Sequence, residues 1–144
     1  MPLLDIAFRS KSRAPMQTKV ETMVSKVAGV ENDFRGKPGK RQVTVLSLEQ
    51  WQRACEEVHT TLPWTVRRAN LLVDGVIFDS SMTGKQIKIG QLILLITGET
   101  DPCPKMDAQH QGLTKALTPD WRGGVCCRVI ADGRVKVGDQ LSII

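Results

Sequence analysis

Apolar residues fall along this chain in short runs, broken by glycine, proline and charge, and most of the runs have the length of strands. Leu3–Phe8 reads as a first strand, and residues 9–15 as a basic turn or loop ending in Pro15. Residues 16–28 place Val20, Met23, Val24 and Val27 at a loose alternation that suits a strand, although a short helix matches the same spacing. Residues 29–41 are rich in Gly and Pro and form a loop, and 42–46 form a strand. Ser47 then opens a helix. Ser47 and Gln50 have capping-box spacing, and Glu49 suits the positive end of the helix. Leu48, Trp51, Cys55 and Val58 line one apolar face, with His59 at the end and residues 60–63 as the stop.

The second half of the chain carries an internal echo. Residues 85–92 and 134–141 each alternate with period two, then pass through a glycine and a polar residue into a new apolar run. Each reads as strand, tight bend, strand. Residues 92–96 form a buried strand that stops at Gly98, 108–117 allow a short helix, and 120–124 form a turn. Residues 125–130 form a strand that Asp132-Gly133 closes as a hairpin onto 134–137. Many strands and few helices predict a mainly β fold, a barrel-like, strongly bent sheet with a few short helices, in one domain spanning 1–144.

Composition narrows the function classes. Of 144 residues, 41% are hydrophobic and 24% charged, as in ordinary globular proteins. Without a long apolar run or an apolar leader, no membrane association is expected, and the cytoplasm is the default compartment. Net charge is +5, and all of the excess lies in residues 1–41, with nine Lys and Arg against four Asp and Glu. That segment is either a solvated basic arm or a wall for a phosphate-bearing ligand. Sparse aromatics and the absence of Tyr argue against nucleic acid.

Candidate chemistry centres on Cys103. Pro102 and Pro104 flank it, so the thiol sits on a stiff loop that cannot join a sheet. It is either an idle loop thiol or a thiolate acting as nucleophile, sulfur carrier or soft-metal ligand, activated by nearby cations such as Lys105, Arg67 and Arg68. His110 is the sole histidine near it in sequence, which poorly supports a papain-like hydrolase. The remaining thiols are Cys55 on the helix face and the neighbours Cys126 and Cys127, which point to opposite faces of one strand. One of these two could stand beside Cys103. No C-x-x-C pair signals structural zinc.

The pattern Gly98-x-x-x-Pro102-Cys103, then Gly112-Leu113, then Arg122-Gly123-Gly124-Val125, resembles the MOSC domain. This is the C-terminal module of molybdenum cofactor sulfurases, found also in amidoxime-reducing enzymes and small stand-alone bacterial proteins. The resemblance spans residues 29–141, takes in Arg41-Gln42-Val43 and Arg68-x-Asn70-Leu71, and leaves 1–28 as N-terminal strands and a basic loop. It implies that Cys103 carries persulfide sulfur or ligates the molybdenum of the pterin cofactor, molybdopterin. It implies a cofactor site at Arg68, which would take the phosphate, and Asn70, with Arg67, Asp101 and Lys105 beside them. Lys40 and Arg41 join that site on grounds of charge. One departure stands out: where the family often has Gly-x-x-Gly-Asp, this chain has Asn32 at the second glycine. The sequence includes neither a cysteine-desulfurase domain nor the N-terminal module of the amidoxime-reducing enzymes. A sulfur donor such as a cysteine desulfurase, or electron-transfer proteins, would therefore be separate partners. The expected role is sulfur handling for the cofactor or reduction of N-hydroxylated compounds. The alternative is a non-catalytic carrier that delivers sulfur or cofactor to a partner enzyme.

Overall fold

The computed structural model describes residues 1–144. Eleven strands and two helices follow in the order β1 Leu3–Phe8, β2 Gln17–Lys19, β3 Glu21–Ser25, β4 Gly29–Val30, β5 Val43–Ser47, α1 Leu48–Glu57, β6 Leu71–Val73, β7 Gln86–Ile89, β8 Leu92–Glu99, α2 Leu113–Leu117, β9 Val125–Ala131, β10 Gly133–Lys136 and β11 Leu141–Ile143. Eight strands make one sheet in the order β11-β7-β8-β9-β5-β6-β1-β2, and β10-β3-β4 make a second. The Leu3 N–H donates to the Asp139 carbonyl and the Leu141 N–H to the Met1 carbonyl, both at 2.8 Å. These bonds tie the start of the chain to β11, the far end of the same sheet, and curl it into a barrel. The fold is mainly β and barrel-like, as the strand pattern predicts.

Alternation sorts the core into two layers. In β6, Leu71 and Val73 point into the barrel while Leu72 faces the helices, so three consecutive apolar residues are all buried. The barrel interior also takes Ile6, Val45, Ile87, Leu94, Ile96 and Val129. Outside the sheet, Trp51, Ala54 and Cys55 of α1 meet Leu113, Ala116 and Leu117 of α2. The expected apolar face of α1 and the core role of Cys55 are both found. β5 and β6 are parallel, the one such pair among the named strands, and α1 is the helical crossover that parallel pairing requires.

Several local expectations yield to tertiary partners. Ser47 is the N-cap of α1, but its hydroxyl donates to the Val76 carbonyl and accepts no bond from the helix N–H groups. Gln50 likewise bonds both backbone groups of Phe78 and the Asp120 carbonyl, so the capping-box residues hold distant loops. Residues 16–28 are neither one strand nor a helix. The chain turns at Val20 and divides between β2 of the large sheet and β3 of the small one, leaving Val20, Met23 and Val27 exposed, and of the four apolar positions Val24 alone reaches the core. The echo forms a hairpin only once, at β7–β8 around Gly90. Its second copy passes from β10 in the small sheet to β11 in the large one. Asp132-Gly133 also closes no hairpin: β10 pairs with β3, and the Asp132 carboxylate accepts from the Lys26 N–H at 2.7 Å.

Gly133 makes this change of sheet feasible. A Cβ there would lie 2.3 Å from the Leu92 nitrogen, a backbone atom with no freedom to retreat. Gly133→Ala should therefore destabilise the protein by about 2 kcal/mol or more in urea unfolding. Gly98→Ala, whose new methyl meets nothing within 4 Å, should stay within about 0.5 kcal/mol of wild type.

Candidate functional site

A cavity of about 280 Å³ opens where five segments converge at one end of the barrel. They are the turn after β1, the loop between β4 and β5, the approach to β6, and the segments leaving β8 and entering β9. Five arginines and two aspartates line it, an excess of three positive charges.

Local structure delivers Cys103 to its wall. β8 runs on past the expected stop at Gly98 to Glu99, through an irregularity in its pairing with β9 between Ile96 and Gly98 that redirects the strand. The Thr100 N–H donates to the Gly124 carbonyl at 2.8 Å, and the chain then leaves the sheet. Cys103 caps the 3-10 turn Pro104–Ala108. Its carbonyl accepts from the Met106 N–H at 3.0 Å and the Thr114 hydroxyl at 2.9 Å. Met106 is buried against the helices and anchors the loop. The backbone is fixed while the thiol is exposed.

Arg67 is the main organiser of the wall. Only 7% exposed, it donates from Nε to the Gly123 carbonyl at 3.1 Å and from Nη2 to the Thr100 carbonyl at 2.8 Å. It thus clasps the end of β8 to the start of β9. No carboxylate lies within 4 Å of it; both side-chain ion pairs in the molecule belong to Arg122, with Glu57 and Asp120. Burial lowers the Arg67 pKa, an effect that Cys103, Cys126 and Asp101 oppose and Arg41 reinforces. Gly123 must be glycine here, since a Cβ would lie 2.4 Å from the Thr100 oxygen and 3.0 Å from Arg67 Nη2. The Arg-Gly-Gly-Val motif therefore has a mechanical reason: Arg122 bonds the Ala116 carbonyl and Glu57 between the two helices, and Gly123 leaves room for the clasp.

Arg68 adopts a left-handed conformation at φ 64° and reaches the other way, to the Ala14 carbonyl at 3.1 Å. Asn70 lines the cavity, but its amide is engaged in the frame, accepting from the Thr44 N–H at 3.0 Å and donating to the Ala7 carbonyl at 3.2 Å. Asn32, where the family often has glycine, takes φ 68°. The substitution therefore keeps the left-handed backbone that a glycine would adopt.

Of the residues singled out in the sequence, Cys103, Arg67, Arg68, Asn70, Arg41 and Asp101 share this cavity. Lys40 and Lys105 do not line it; Lys40 lies in an adjacent surface depression of the 34–42 loop. Arg9 and Asp33 were not anticipated. The charge excess of residues 1–41 was the available signal, but only the fold carries Arg9 to the cavity. Cys126 and Cys127 are both buried. Cys126 Sγ is 3.2 Å from the Thr100 hydroxyl, behind the wall, and burial pushes the Cys127 thiol far up. His110 bonds the Val58 carbonyl at 3.0 Å, and His59 takes a left-handed φ of 57° just past α1. No group of three or more His, Cys, Asp and Glu could hold a metal between them. A metal at Cys103 would need most of its ligands from a bound group. The exposed thiol beside an arginine-rich cavity fits an anionic group that carries a soft metal with a position open to one thiolate.

The family model for the MOSC domain matches residues 20–142, and the chain belongs to that family. The match begins at Val20, ahead of residue 29. Among solved structures, the YuaD protein from Bacillus subtilis superposes with a TM-score of 0.83 at 17% identity, over 99% of this chain and 94% of that one. YiiM from Geobacillus stearothermophilus gives 0.79 at 17% identity, covering 99% and 75%. YiiM from Escherichia coli gives 0.73 at 18%, covering 100% and 70%. At these identities the likeness establishes the fold. No curated protein matches the sequence. No helix is long and apolar enough to cross a membrane.

Two outcomes follow from this geometry. In the folded protein iodoacetamide should modify Cys103 alone, read by peptide mass spectrometry, with Cys55, Cys126 and Cys127 labelled only after denaturation. Arg67→Met should cost about 3 kcal/mol in urea unfolding, because two buried carbonyls lose their donors; Arg67→Lys should recover part of that loss.

Proposed function

We propose that this protein binds the molybdenum cofactor in the arginine-lined cavity, with the Cys103 thiolate as the protein's ligand to the metal. The observation that carries this reading is Arg67, a buried guanidinium with no carboxylate partner, in the wall that also presents Cys103. A buried cation paired only with neutral carbonyls favours an anion in the adjoining space. Family membership supports the choice of anion, since the MOSC domain is associated with this cofactor. Arg67, Arg68 and Arg41 would hold its negative charge, and Asp101 is the carboxylate near the thiol. When bound, the cofactor supplies two-electron chemistry at molybdenum. Reduction of an N-hydroxylated compound consumes two electrons and two protons and releases the amine and water, so a separate electron carrier would be the partner. The chain's own residues would bind and orient the anion, and the pinned Cys103 carbonyl would keep the thiol at the cavity.

A second reading draws on the exposure of Cys103 and the absence of a base bonded to it: the thiol carries sulfur as a persulfide received from a cysteine desulfurase and delivers it to a partner. Both readings suit a reducing compartment such as the cytoplasm.

Elemental mass spectrometry separates them. Protein purified without oxygen from a cofactor-producing host should contain molybdenum, and Cys103→Ala should contain little or none. Retention by Cys103→Ser equal to wild type would refute the ligand role. No metal in either protein, together with a sulfur adduct on Cys103, would favour the carrier.

A further inference from the structure

We propose that the basic loop 34–41, at the mouth of the cavity, is the docking surface for an acidic electron-carrier protein. This rests on the reading that the cavity holds the cofactor, whose chemistry consumes electrons supplied from outside the chain. It adds where the supplier binds and what its surface carries.

Residues 34–41 hold Arg35, Lys37, Lys40 and Arg41 and no Asp or Glu. All four cations are exposed. None has a carboxylate within 4 Å, because both side-chain ion pairs in the molecule belong to Arg122. Arg35 and Arg41 line the cavity as well as the adjacent surface depression, whereas Lys37 and Lys40 line the depression alone. The positive surface therefore continues from the cavity onto the outside of the protein. The Phe34 N–H donates to the Arg9 carbonyl at 2.7 Å, which fastens the turn after β1 alongside and adds the exposed Lys11 and Arg13.

A merely solvated basic face needs no fixed shape, yet this loop has one. Gln42, only 1% exposed, donates to the Gly36 carbonyl at 3.0 Å and to the Lys26 carbonyl at 2.8 Å. The Thr97 hydroxyl donates to the Lys40 carbonyl. A Cβ at Gly36 would lie 1.7 Å from the Ala28 carbonyl oxygen, so the loop rests directly on the β3–β4 hairpin. A surface ordered before contact loses little entropy on docking.

The chemistry of the partner follows from charge and size. Four unpaired cations select an acidic face, and such complementarity speeds encounter without demanding tight affinity. An eight-residue loop makes a small contact, the scale of transient electron-transfer encounters and not of a permanent subunit interface. Phe34 and Pro38, both exposed, give that contact apolar surface. Single-stranded nucleic acid is the competing polyanion, but Phe34 is the lone aromatic of the loop, and successive bases need successive stacking partners.

The test is calorimetric titration of the full chain, purified from a host lacking the cofactor, at low ionic strength. The probes are two acidic carriers, a flavodoxin and a plant-type ferredoxin, and a basic c-type cytochrome. At least one acidic carrier should bind saturably and weaken about tenfold or more when salt is raised to about 0.2 M. Lys37→Glu/Lys40→Glu should weaken binding about tenfold or more at low salt, and Lys37→Gln/Lys40→Gln should weaken it less, in the same direction. Arg53→Glu/Lys88→Glu makes an equal change in net charge at exposed positions of α1 and β7, outside the cavity and the loop depression, and should bind as wild type does. Circular dichroism checks each fold, and the glutamine pair is read alone should the glutamate pair misfold. Equal loss in both charge-reversed variants, equally tight binding of the basic cytochrome, or no binding of either acidic carrier would overturn the docking surface. Binding of oligothymidylate with neither carrier bound, lost in Lys37→Glu/Lys40→Glu, would overturn it in favour of nucleic acid. The titration uses no metal, so carrier binding by a protein that takes up no molybdenum keeps the docking surface and sinks the cofactor reading, and molybdenum uptake without carrier binding does the reverse.

Discussion

A largely buried guanidinium with no carboxylate beside it is costly, and Arg67 is kept in that state by the two carbonyls it joins. Those carbonyls belong to Thr100 and Gly123, the points at which the chain leaves β8 and returns to β9. The same side chain therefore closes the sheet end and charges the cavity wall. The Cys103 loop starts from one side of this clasp and the Arg-Gly-Gly-Val turn ends at the other. Structural and electrostatic roles cannot be separated here, because the site's positive charge is also the fastening that shapes it.

The barrel places these pieces at one end. A parallel β5–β6 pair sends the chain out through α1 and back in just before Leu71, which sets Arg67, Arg68 and Asn70 beside the start of β5. Asn70 secures that return by bonding both Thr44 and Ala7. On the outer face α1 and α2 bury their apolar sides together, and Met106 joins them, so the loop carrying Cys103 rests on the helical layer. The thiol is thus exposed on a backbone that is bonded on both sides.

Much of this was legible one residue at a time. Pro102 and Pro104 announced a stiff loop around Cys103, and the spacing of Leu48, Trp51, Cys55 and Val58 announced the helix face, because both are consequences of local covalent geometry and period. The resemblance to the MOSC domain marked Arg68, Asn70 and the paired glycines. Failures came where a residue's partner was distant. Ser47 and Gln50 have the pattern of a self-contained cap yet bond Val76, Phe78 and Asp120. Lys105 is next but one to Cys103 in sequence and still lies off the cavity wall, since the 3-10 turn carries it away.

By itself the sequence determined the element types, the thiol's rigid setting and the concentration of positive charge in residues 1–41, all of which depend on short-range chemistry and composition. Only the tertiary structure decided which sheet each strand joins. Asp132-Gly133 has the local form of a hairpin, and nothing local reveals that Gly133 must pass against the backbone of Leu92. Only the fold, too, set Arg9 across from Arg35 and Arg68. Charge in a segment states how many cations exist, whereas their convergence on one cavity comes from long-range backbone bonds between separate turns.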